Sequence, residues 1–91
     1  MDDRFRAKIV RLILEGKAEK ALDLLAEEFE VEKPKIKVKH VKGHSKALAL
    51  YSAKDKTIYL SDGAFYTNSY VILHEFYHHI RIVLGKHRGT E

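Results

Sequence analysis

His74, Glu75 and His78 carry the most specific chemical signal in this chain of 91 residues. They form the pattern H-E-x-x-H within the apolar stretch Val71-Ile72-Leu73-His74-Glu75-Phe76-Tyr77-His78-His79-Ile80. On a helix, residues four apart lie one above the other, so the imidazoles of His74 and His78 can share one ion while Glu75 projects beside them. Neutral imidazole is a good zinc ligand, and zinc with an open coordination position lowers the pKa of its water toward neutrality. A carboxylate alongside can take the proton from that water and deliver it to a leaving amine. The spacing therefore predicts one catalytic Zn2+, with His74 and His78 as ligands and Glu75 as general base.

The competing reading is a histidine-rich, solvated helix face, since six histidines in so short a chain allow a chance match. The phase of the pattern argues for a site. Leu73, Phe76, Tyr77, Ile80 and Leu84 recur at helical spacing and are expected to anchor the helix to a core, with Val71 and Ile82 on the side of the two ligands. His79 lies about 100° round the helix from His78 and is expected to pack rather than ligate. His40 and His44 flank a turn and are read as structural or solvated. His87 sits where a helix C-terminus favours a cation, and it remains a candidate ligand. Tyr51, Tyr59, Tyr66, Tyr70 and Tyr77 include candidate oxyanion donors, with half-buried packing the commoner role for tyrosine.

The elements that must position these residues follow from periodicity and punctuation. Asp2 or Asp3 can cap a first helix with Phe5, Ile9, Leu12 and Ile13 on one stripe, ending at Gly16. A second helix follows, with Ala18, Ala21, Leu22, Leu25 and Phe29 on its apolar face. Pro34 marks the change to strands, predicted over Lys35 to Val41, Ala47 to Ser52 and Thr57 to Ser61, with Ala53-Lys54-Asp55-Lys56 as a hairpin connection. Thr67, Asn68 or Ser69 can cap the helix that carries the motif, which is expected to end at Leu84 with Gly85 just beyond. The expected fold is α+β: two N-terminal helices backing a small antiparallel sheet of about three strands, then the H-E-x-x-H helix.

Composition narrows the classes further. Ninety-one residues make one domain near the lower limit for a self-sufficient core. Cysteine is absent, so any metal must be held by nitrogen and oxygen. No run of about 18 apolar residues occurs, and the opening Met1-Asp2-Asp3-Arg4 is acidic where a signal peptide would be basic, so a soluble, cytoplasmic protein is expected. Abundant lysine and glutamate without glutamine match proteins of heat-loving organisms. The net charge of +4 comes largely from Lys33, Lys35, Lys37, Lys39, Lys42 and Lys46, which raises a nucleic-acid partner. The alternation of Lys35, Lys37 and Lys39 with Ile36 and Val38 favours instead an exposed strand protected from edge-to-edge pairing.

Residues 35 to 80 resemble the N-terminal half of the zincin metallopeptidases, in which a backing helix and a small sheet precede a helix bearing H-E-x-x-H. In that family the strand before the last hairpin forms the upper rim of the cleft, and extended substrate pairs with its free edge. By position this implies Ala47, Leu48, Ala49, Leu50 and Tyr51, continuing to Ser52, as the substrate-binding strand for a peptide or protein in extended conformation. Metzincins require glycine and histidine where Arg81 and Leu84 stand, which excludes that subgroup. Aspzincins require an aspartate where Glu91 follows Gly89-Thr90. Gluzincins take a glutamate beyond the active helix, and Glu91 is the sole acidic residue after Glu75.

A single domain this short that carries H-E-x-x-H resembles the minigluzincins. That resemblance implies a zinc endopeptidase reduced to its essential scaffold, synthesis as a latent zymogen, and Glu91 as third ligand. Two explanations stay open for that ligand: residues 1–91 are a shortened form of a longer domain, or the ligand is His87 or a group from another molecule. A non-catalytic or latent zinc-binding module, whose open metal position or free strand edge is filled in a homo-oligomer, is the alternative function.

Overall fold

A computed structural model describes residues 2–39 and 48–88, with side chains through Gly85. Helix α1 spans Asp3–Leu14, and the Asp2 carboxylate accepts from the Phe5 N–H at 2.8 Å, satisfying one of the donors a helix start leaves free. Gly16, with φ of 82°, turns the chain directly into helix α2, Ala18–Phe29. That left-handed geometry suits glycine, which has no Cβ to clash. Ile9, Leu12 and Ile13 of α1 meet Ala18, Ala21, Leu22 and Leu25 of α2 in one buried cluster. After α2, Glu30 takes a left-handed conformation and the Val31 N–H closes on the Ala26 carbonyl, which directs Glu32 toward the sheet.

The sheet holds strands β1 (Lys35–Val38), β2 (Ala49–Ser52) and β3 (Thr57–Leu60) in the order β1-β3-β2. The hairpin of β2 and β3 is antiparallel, with Tyr51 opposite Ile58 and Ala49 opposite Leu60. β1, however, pairs with β3 in parallel, Ile36 beside Ile58 and Val38 beside Leu60, so the sheet is mixed and the antiparallel expectation is corrected. Alternating apolar residues specify which face of a strand is buried and leave its direction open. Here burial of Ile36 next to Ile58 against the helices is served equally by a parallel neighbour. Ile36 alone of β1 is buried and Val38 is 43% exposed.

A short 3₁₀ helix, Gly63–Thr67, leads into helix α3, Ser69–Arg88. The Asn68 side chain caps α3 by accepting from the Val71 N–H at 3.1 Å. α3 runs past Gly85, which was expected to end it; Gly85 has no positive φ and open space around its Cα, so nothing there demands glycine. The observed class is α+β, with three α-helices and a mixed three-stranded sheet among the described residues. Among the described residues no helix is long and apolar enough to cross a membrane.

Candidate metal centre and groove

The rotation of α3 decides what its histidines can do. Val71, Ile72, Phe76 and His79 are buried against the sheet and α2. His74 and His78 consequently stand on the exposed side, their ring centroids 4.9 Å apart and their planes at 87°. Tyr70, one turn earlier, stacks on His74 with centroids at 6.1 Å. Neither imidazole takes a hydrogen bond among the described residues, so their nitrogens are available to an ion held between adjacent turns.

The core face of α3 differs from the expected one. Phe76 is buried and Leu73 and Ile80 are half-buried, but Tyr77 is 65% and Leu84 37% exposed, while Val71 is buried. The reason is His79, which is fully buried and occupies the centre of the packed face. Periodicity counts a histidine as polar and so displaced the deduced face by part of a turn.

Glu75 lies one residue from His74 yet is only 8% exposed. With His78 and Ile82 it forms one wall of a groove of about 360 Å³, and Ala49, Leu50, Tyr51 and Ala53 form the other. No hydrogen bond or ion pair reaches the Glu75 carboxylate from the described residues, and no sealed side-chain oxygen there lacks a partner. Its oxygens therefore open onto the groove. His74 also borders a second hollow of about 370 Å³, lined among others by Phe29, Tyr70, Phe76, Tyr77 and Arg6.

Strand β2 is the edge of the sheet beside this groove. Ser61 N–H donates to the Leu48 carbonyl at 3.0 Å, and bonded pairs alternate along an antiparallel ladder. Leu50 and Ser52 thus bond inward to β3, and Ala49 and Tyr51 turn their N–H and C=O groups away from it, to an edge that no other described strand pairs with. Leu48 is 52% exposed at the start of the strand.

His79 makes two bonds that explain its burial. Its Nε2 lies 2.8 Å from the Glu32 carbonyl, which can only accept, so Nε2 carries the proton. Nδ1 of the neutral ring then accepts from the Tyr51 hydroxyl at 2.5 Å. This removes Tyr51 from the candidate oxyanion donors, because its hydrogen is committed to His79. The expectation that His79 packs holds, in the core. Burial, and after it the Glu32 carboxylate, raises the Tyr51 pKa above its ordinary value of 10.0. The folded state thus holds the phenolic proton more tightly than the unfolded chain, a stabilisation complete below pH 10.0 and lost as pH rises through the higher folded value. Denaturant unfolding should show stability falling more steeply above pH 10.0 for the wild type than for Tyr51→Phe; parallel curves would contradict this link.

Among the described residues no group of three His, Asp or Glu side chains converges on one point. Glu91 and Ala47, assigned by resemblance to the metal and the rim, lie outside the described residues, as do His40, His44 and the side chain of His87. Of the basic stretch, Lys33 is paired with Glu19 at 2.8 Å and Asp23 at 3.1 Å, and Lys39 lies over the Tyr59 ring at 5.5 Å. Lys42 and Lys46 are outside the described residues. Comparison with models of known families, with curated proteins and with solved structures finds no match to this chain.

Proposed function

We propose that this chain is a zinc-dependent endopeptidase of gluzincin type, with His74 and His78 holding the metal and Glu75 acting as general base. One observation carries the reading: the Glu75 carboxylate, unpaired among the described residues, opens onto a groove between His78, one of two exposed histidines a helical turn apart, and the edge strand of the described sheet. The donor set suits zinc, since both groups are imidazoles one helical turn apart with no competing hydrogen bond among the described residues. When bound, zinc supplies Lewis-acid polarisation of a carbonyl and acidifies water. The chain's own residues do the rest. Ala49 and Tyr51 would pair with the backbone of an extended peptide by strand addition, which gives affinity independent of sequence. Glu75 would take a proton in the groove and return it to the departing amine nitrogen.

The test is incubation of tagless, zinc-loaded protein with an unstructured peptide. Cleavage of internal bonds that stops with a chelator and returns with zinc is the expected result. A second reading, which the edge position of β2 in the described sheet serves as well, is a non-catalytic or latent zinc-binding module whose strand edge or open metal position a neighbouring chain fills. Zinc binding without cleavage, together with zinc-dependent self-association in sedimentation, would select that reading. Failure to bind any divalent metal at neutral pH would remove both.

A further inference from the structure

We propose that the hydrogen-bond chain Tyr51–His79–Glu32 is a positioning clip that fixes strand β2 over helix α3 and thereby sets the width of the groove onto which Glu75 opens. The clip itself stands on geometry alone. Its consequence for substrate rests on the peptidase reading above.

β2 is four residues long and, among the described residues, has one strand neighbour, so the described sheet restrains it on one side. Among the described residues the Tyr51–His79 bond is the one side-chain hydrogen bond between β2 and α3. It falls at an informative place. His79 is four residues after Glu75 and stacks one turn above it on the helix, so the strand is tethered directly beside the carboxylate. The rings meet edge to face at 5.3 Å, and Phe76 backs the imidazole at 5.8 Å. Tyr51 is thus held by packing as well as by its hydroxyl.

The far end of the clip is anchored twice. The Glu32 carbonyl receives the His79 Nε2–H, while its carboxylate pairs with Lys56 Nζ in the turn between β2 and β3. One residue after helix α2 therefore holds both the middle and the end of the hairpin. Because both nitrogens of His79 are occupied, its imidazole cannot join the ion expected at His78, although the two are adjacent in sequence. His79 and Tyr51 are positioning residues: they act on substrate through the height of the strand edge formed by Ala49 and Tyr51.

Tyr51→Phe in the full, zinc-loaded chain removes the hydroxyl and keeps the ring. For a peptide substrate KM should rise by about three- to tenfold, the size of one net hydrogen bond, with kcat and zinc affinity within about twofold of wild type. His79→Gln, whose amide can donate to the Glu32 carbonyl and accept from Tyr51, should recover much of the KM; His79→Leu should not. A fall in kcat at unchanged KM would place Tyr51 on the reacting atoms and overturn the clip. Two readouts need no activity. Nitrogen NMR of wild type should show His79 protonated at Nε2 and hydrogen-bonded at Nδ1, with only the Nδ1 resonance shifting in Tyr51→Phe. Amide exchange at Leu50 and Ser52, whose N–H groups bond to β3, should quicken by about tenfold in that variant. Unchanged exchange, or an unprotonated Nε2, would overturn the proposal. If wild type cleaves nothing while both signatures hold, the peptidase reading has failed and the clip has not.

Discussion

Replacing Glu75 by Gln is expected to lower peptide turnover by about 10²–10⁴-fold, the usual contribution of a positioned general base, while zinc content stays at the wild-type level. The carboxamide keeps the shape of the carboxylate but cannot take up a proton at neutral pH. Nothing in the fold is lost with the charge, because no described residue pairs with Glu75. Because the Glu75 oxygens open onto the groove, the substitution should change stability by no more than about 0.5 kcal/mol. Steady-state hydrolysis of a quenched fluorescent peptide, with metal analysis of the same sample, separates the two effects. Full activity in Glu75→Gln would sink the mechanism. Lost activity together with lost zinc would mean that Glu75 serves the metal instead.

The second large effect concerns the three histidines of α3. His74→Ala and His78→Ala should each weaken zinc binding by more than the roughly 10–100-fold that loss of a mere supporting group costs, since each removes one of two imidazole donors. Their effect on folding should stay within about 0.5 kcal/mol, because both side chains are exposed and carry no hydrogen bond among the described residues. His79→Ala should do the reverse. It takes the partner from the Tyr51 hydroxyl and vacates a fully buried position, a loss of about 1–3 kcal/mol for the unsatisfied group alone, with the exposed histidine pair intact. Competition with a chromophoric chelator and denaturant unfolding of the three variants give this pattern directly. Equal zinc loss in all three would refute the division of labour.

The residues of the candidate site were legible because their chemistry depends on local spacing. His74 and His78 at i and i+4 share a helix face wherever the helix lies, and Asn68, a residue type that favours helix starts, caps it. Both N-terminal helices were legible for the same reason, since Ile9, Leu12 and Ile13, and Ala21, Leu22 and Leu25, repeat at the helical period. The β2–β3 hairpin followed from a short polar link between two apolar runs. Gly85 misled, because glycine is permitted within a helix as well as after one.

The sequence by itself determined the helix that carries the histidine pair, the partition into α+β elements and the chemistry open to H-E-x-x-H. Only the tertiary structure decided how α3 is turned, and the reason is energetic. Burying His79 is permissible once Tyr51 and Glu32, 28 and 47 residues away, satisfy both its nitrogens, and no local pattern encodes partners so distant. That single choice brings His74 and His78 to the surface and leaves Glu75 on a groove. The direction of β1 was likewise a tertiary decision, because Ile36 can be buried beside Ile58 with either strand polarity.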